Sequence, residues 1–84
     1  MLPAPNSNDS YTVYGIEGCP YCHGAKTLVG QTPGAVYHDI TGMRDRLRPL
    51  MIKRGIIPAN YSTVPLVFKK GKFIGGLNEM KSSK

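Results

Sequence analysis

The residues with the clearest capacity for chemistry are two cysteines three positions apart, in the run Cys19-Pro20-Tyr21-Cys22. They are the only two cysteines in 84 residues. A thiol at the start of a helix faces unpaired backbone N–H groups and the positive end of the helix dipole. Both favour the thiolate, which is the nucleophilic form. A second thiol one turn along can reach back to the first. The chemistry this spacing permits is thiol–disulfide exchange through a mixed disulfide. Cys19 is then the exposed attacking thiol and Cys22 the resolving one.

Two other uses of the pair need weighing. Half a zinc site would require His23 and His38 as the remaining ligands, because no further cysteine exists. His23 directly follows Cys22 and points elsewhere on the helix, so a four-ligand set is hard to assemble. Two buried structural thiols are the other use. The local context favours redox chemistry, since the pair falls between a strand-like run and a helix-like run.

The elements that must position the pair can be read around it. Residues 11–16, Tyr-Thr-Val-Tyr-Gly-Ile, are β-branched and aromatic and predict a strand. A helix follows from Pro20 to about Gln31, with Cys22, Ala25, Leu28 and Val29 on one face. Pro20 suits its first turn, where an N–H would go unpaired. Residues 35–40 predict a second strand. Thr41 is placed to cap a second helix over 42–54, which Pro49 should kink or split. Residues 55–62 read as a loop. Strands at 64–68 and 72–74 flank a tight turn at Lys70-Gly71, and Gly75-Gly76 precedes a short helix from Leu77. The order is β-α-β-α-β-β-α. It implies an α/β fold with a four-stranded mixed sheet flanked by helices and a short terminal helix. Residues 1–10, with two prolines and no periodicity, read as a flexible arm ahead of a single domain over 11–84.

Two further clusters could serve a ligand. Thr63-Val64-Pro65 opens the third strand, and an X-Pro bond is where a cis peptide can occur. A cis bond there would free the Val64 backbone to pair with a peptide-like ligand. Gly75-Gly76 permits close backbone approach ahead of a helix N-terminus that can hold a carboxylate.

Composition bounds the rest. One domain is all the length allows, and two cysteines exclude a disulfide-rich scaffold. No apolar run approaches the ~20 residues of a membrane span, and the first ten residues lack the pattern of a secretory signal. Eleven Lys and Arg against five Asp and Glu give a net charge of +6. No nucleic-acid motif accompanies the basic residues, which read as a solvated surface able to steer the chain to an acidic partner.

In order and spacing, Cys19-Pro20-Tyr21-Cys22, Thr63-Val64-Pro65 and Gly75-Gly76 together resemble the glutaredoxins over roughly residues 11–80. The resemblance implies a thioredoxin-like fold and a glutathione-dependent reductase of protein disulfides and protein–glutathione mixed disulfides. It implies Cys19 as nucleophile, Cys22 as resolving cysteine and a Cys19–Cys22 redox disulfide. It implies Tyr21, Thr63, Val64, Pro65, Gly76, Asn78 and Glu79 as the residues that hold glutathione, with no metal. It further implies a cytoplasmic monomer engaged in electron transport. Two alternatives come with the family: a donor dedicated to one target such as ribonucleotide reductase, and a module holding an iron–sulfur cluster through Cys19 and glutathione. The chain departs from the pattern at Ile16, where many members carry a Lys that supports the thiolate, and Glu17 beside it would oppose that support. Lys53, Arg54 and Lys69 are the candidates for the missing charge. Asn78-Glu79 stands where an Asp pair or Ser-Asp is usual, the terminal helix is short, and residues 56–61 lengthen a loop.

Overall fold

The computed structural model describes residue 5, residues 7–61 and residues 64–83. Its elements follow the expected order: β1 (Tyr11–Gly15), α1 (Pro20–Gln31), β2 (Val36–Asp39), α2 (Arg44–Lys53), β3 (Leu66–Lys69), β4 (Lys72–Gly75) and α3 (Leu77–Ser83). The four strands form one sheet in the order β2-β1-β3-β4. β1 pairs with β2 in parallel and with β3 antiparallel, and β3 and β4 form an antiparallel hairpin. The arrangement is the thioredoxin-like mixed sheet.

Alternation along the central strands sorts the core onto two faces. Val13 and Val67 pack with Tyr11, Ala25, Leu77 and Met80 on the side of α1 and α3. Tyr14, Leu66 and Phe68 pack with Ile40, Met51 and Ile57 on the side of α2. Both clusters are small, as a chain this short requires. The β3–β4 turn takes left-handed φ at both Lys70 (51°) and Gly71 (85°), the conformation a two-residue hairpin needs. The pairing then slips between Val67 and Phe68, a bulge that ends β4 at Gly75 and turns the chain into α3.

Two local expectations are corrected. Thr41 does not cap α2. Its N–H donates to Asp39 Oδ1 at 2.8 Å, and its hydroxyl accepts from the Glu17 N–H at 2.8 Å. The side chain is thus committed to the β2 end and the Cys19 loop, and α2 begins later, behind Met43, with no side-chain cap. Nor does Pro49 split the helix, which runs unbroken from Arg44 to Lys53. Proline removes only its own N–H bond to the Asp45 carbonyl. Both residues are exposed, so water can satisfy that carbonyl. Ser10, placed in the arm, is tied down: its N–H donates to the Gly34 carbonyl, its hydroxyl to the Pro33 carbonyl, and its own carbonyl accepts from Lys70.

Candidate active site

β1 delivers the chain to the site and α1 carries it away. Between them lies a short loop, closed by Gly18 at φ 76°. Cys19 is the N-cap of α1: its backbone is extended and its Sγ accepts from the Cys22 N–H at 3.4 Å. Pro20 occupies the first turn, as expected. Both thiols are free, with Cys19 partly exposed and Cys22 fully buried. Tyr21 between them is 62% exposed, which leaves its ring open to a ligand.

The two thiols titrate in opposite directions. Burial alone would raise the Cys19 pKa. It is outweighed by hydrogen bonds from the Cys22 thiol and from the Cys22 and Tyr21 N–H groups, and by the Arg44 charge, so Cys19 lies below an ordinary thiol. Burial pushes Cys22 up to about 11, against the pull of the Ile16 amide. One thiol is held toward the nucleophilic form and its neighbour is held protonated. That is the division of labour that a reactive pair requires.

The supporting cation was not legible in the sequence. The sequence offers Lys53, Arg54 and Lys69 for that role, yet the charge that favours both thiolates is Arg44. Arg44 opens α2 and lines a cavity with Ile16, Glu17, Thr41, Gly42 and Asp45. It therefore stands across the loop from the position where the usual Lys is replaced by Ile16. Lys69 is committed elsewhere, with its Nζ donating to the Ser83 carbonyl at 3.1 Å.

A cavity of about 200 Å³ is lined by Tyr21, Tyr61, Val64, Pro65, Gly76, Asn78 and Glu79. All the described residues expected to hold glutathione thus converge on one hollow beside the cysteines. Thr63, also expected there, lies outside the described residues. The Val64–Pro65 bond is cis. Glu79 Oε1 accepts from the Gly76 N–H at 2.7 Å, so the third residue of α3 closes a cap on the residue before the helix. Tyr61 is an addition that sequence reasoning missed. It stacks edge-on against Phe73 and is held by Arg48, whose Nε donates to the Tyr61 carbonyl at 2.9 Å.

On the other side of Cys19 a second hollow of about 190 Å³ is bounded by Ile16–Cys19, His23, Lys26, Tyr37 and Asp39. Gly15 makes it possible. A Cβ on Gly15 would sit 2.2 Å from the Tyr37 hydroxyl and 3.0 Å from the Cys22 Cβ, so only glycine lets the phenol pack there. Burial, with the neighbouring Cys22, Asp39 and Cys19 charges, pushes Tyr37 up to about 12. The hydroxyl therefore remains protonated near the buried thiol. Asp39 is shifted the other way, below an ordinary carboxyl, by hydrogen bonds from the Thr41 side chain and N–H. No group of three or more potential metal ligands occurs among the described residues. No helix among them is long and apolar enough to cross a membrane.

Comparison with known proteins adds an independent line. A family model described as Glutaredoxin matches residues 11–74. Among solved structures, the dithiolic glutaredoxin 2-C-Grx1 of Trypanosoma brucei brucei superposes with a TM-score of 0.70 at 26% identity, covering 90% of this chain and 77% of that one. Glutaredoxin 1 of Francisella tularensis gives 0.68 at 29% identity, covering 87% and 88%. A buckwheat glutaredoxin–glutathione complex gives 0.57 at 28% identity, covering 92% and 70%. No curated protein sequence matches the chain.

Proposed function

Given that this chain belongs to the glutaredoxin family of thiol–disulfide oxidoreductases, we propose that it reduces protein disulfides and protein–glutathione mixed disulfides with glutathione as co-substrate. The observation that carries the reading is the shared hollow of Tyr21, Val64, Pro65, Gly76, Asn78 and Glu79 beside a thiol pair with opposed pKa shifts. A neighbour in the family was solved with glutathione bound.

In this reading the Cys19 thiolate attacks a substrate disulfide. A Cys19 mixed disulfide forms and one substrate thiolate leaves. Cys22 loses its proton and attacks Cys19 Sγ, which releases the second substrate thiolate and forms the Cys19–Cys22 disulfide. A glutathione thiolate then attacks Cys19 Sγ, and Cys22 leaves and takes up a proton. A second glutathione attacks the glutathione sulfur of that mixed disulfide. Oxidised glutathione departs and Cys19 returns as thiolate. Two electrons pass from two glutathiones to one disulfide.

The glutathione cysteinyl backbone would lie along Val64, with Tyr21 and Tyr61 as apolar walls. Its γ-glutamyl end would meet Gly76, Asn78 and the start of α3. Glu79 already caps Gly76, so a ligand carboxylate at that N–H would have to turn Glu79 outward. Arg44, whose charge favours the Cys19 thiolate, would serve in place of the family's usual Lys. Residues 11–84 would form a single glutaredoxin-like domain, acting as a monomer in the cytoplasm.

The test is turnover of a glutathionylated hydroxyethyl thiol coupled to glutathione reduction. Cys19→Ser should abolish it. Cys22→Ser should keep mixed-disulfide reduction and lose reduction of protein disulfides. Full activity of Cys19→Ser would sink the mechanism. A reduction potential far below the family's range of about −200 to −230 mV would instead favour a thioredoxin-like donor.

A further inference from the structure

The carboxylates of this small protein are clustered. Of its five Asp and Glu residues, Glu17, Asp39, Asp45 and Glu79 all line the hollows around the Cys19 loop and the glutathione-type groove. A wider hollow than these lies between other elements. It is a groove of about 620 Å³ between the end of α2 and the β3–β4 hairpin. Gly55, Ile56, Ile57 and Pro58 form one wall, and Gly71, Lys72 and Phe73 the other. No carboxylate among the described residues lines it.

Its rim is basic. Lys72 is part of the wall, and Lys53, Arg54 and Lys70 adjoin it in the chain. All four are exposed. The one acid near this end is Asp9, next to Ser10, whose carbonyl accepts from the Lys70 N–H. Four cations thus line or adjoin the groove in the chain. On α2, Leu50 is 50% exposed one turn before Arg54.

The groove walls are firm. Gly55 at φ 73° closes α2, with its N–H donating to the Ile52 carbonyl and that of Ile56 to the Met51 carbonyl. This paired cap holds Ile56 and Ile57 at a set angle. Ile57 is anchored in the core with Tyr14, Leu66 and Phe68. Phe73 is held edge-on by both Tyr61 and Phe68. A preformed apolar floor with a cationic rim selects for a chain that carries apolar side chains among acidic ones.

We propose that this groove docks an acidic segment of a disulfide-bearing partner protein, with an apolar side chain seated between Ile56 and Phe73 and its carboxylates facing Arg54 and Lys72. Docking there leaves the Cys19 face open. It therefore raises the encounter rate for acidic partners and leaves small disulfides unaffected.

The experiment is a two-dimensional amide NMR titration of the reduced full chain. The probe is a short synthetic peptide of aspartate and glutamate around a central phenylalanine–leucine pair. A lysine version, a version with two serines in the centre, and phosphatidylserine vesicles are run beside it. The acidic peptide should perturb Ile56, Ile57, Lys72 and Phe73, and neither variant peptide should. Raising salt from about 0.01 to about 0.1 M shortens the screening length from ~30 to ~10 Å and should weaken binding several-fold. Arg54→Glu with Lys72→Glu should weaken it about tenfold and keep turnover of a small mixed disulfide within twofold. No peptide binding, equal binding of the lysine version, perturbations confined to the Cys19 face, or binding to vesicles in place of peptide would each overturn the proposal. Binding is read without glutathione or substrate, so the result stands apart from the enzymatic reading.

Discussion

Arg48 is a surface-lying residue whose loss should be felt in the proposed glutathione groove. Its Nε donates to the Tyr61 carbonyl at 2.9 Å in a half-buried setting, and its Nη2 donates to the Ala59 carbonyl at 3.2 Å near solvent. These two bonds tie the lengthened loop after α2 back onto the helix. Charged donors to partly buried carbonyls contribute about 1.5 kcal/mol, and an exposed bond about 0.5 kcal/mol. Arg48→Met keeps most of the aliphatic stem and removes both bonds, so the loss is about 2 kcal/mol. At about 4–8 °C per kcal/mol for a domain this size, Tm should fall by about 8–16 °C. In urea, with a slope near 1 kcal/mol/M, the midpoint should fall by about 2 M. The freed loop carries Tyr61, so KM for glutathione should rise about three- to tenfold with kcat little changed. Arg48→Lys keeps charge without the fork and should fall between. If Arg48→Met melts within about 2 °C of the parent and KM is unmoved, the loop is held by other contacts and the reasoning fails.

Three further outcomes follow from the same geometry. Iodoacetamide should label Cys19 below the pH of an ordinary thiol and reach Cys22 only near pH 11; Arg44→Gln should move the Cys19 titration upward, by less at high salt. Gly15→Ala should cost about 1–3 kcal/mol through overpacking, because its Cβ meets the Tyr37 hydroxyl at 2.2 Å; Tyr37→Phe in the same chain should restore part of the loss in chemical denaturation. Stability should also depend on alkaline pH through Cys22. Its folded pKa is raised to about 11, so its contribution is complete below the unfolded thiol's ~8.5 and falls as pH climbs from there toward 11. Cys22→Ala should flatten that slope between about pH 8.5 and 10, and an unchanged slope would count against a raised Cys22.

How far the site was legible depends on what each residue's role rests on. Cys19, Pro20 and Cys22 were legible because their chemistry follows from local geometry: a thiol at a helix start, a proline where no N–H is needed, a second thiol one turn on. Val64-Pro65 and Gly75-Gly76 were legible as backbone signals, and the fold brings both to the hollow that Tyr21 borders. Arg44, Tyr37, Tyr61 and Gly15 were not, because each acts on something distant in the chain. Arg44 reaches the thiols from another helix. Gly15 reads as an ordinary strand residue until Tyr37 is packed over it.

The same division holds for the elements. Their order, the α1 boundaries and the place of the hairpin turn followed from periodicity, proline at a helix start and the Lys70-Gly71 pair, all carried by neighbours in sequence, whereas β3 starts at Leu66 and not at Val64. Where α2 begins did not, because Thr41 had two uses open to it. A free Thr before a helix caps it, but here the Thr41 hydroxyl donates to the Asp39 carboxylate and accepts from the Glu17 N–H instead. Sequence alone therefore determined which residues could react and in what order the elements lie. Tertiary structure decided which charge supports the nucleophile, which loop closes the groove and where the basic residues gather, since these depend on distances between segments that no local pattern encodes.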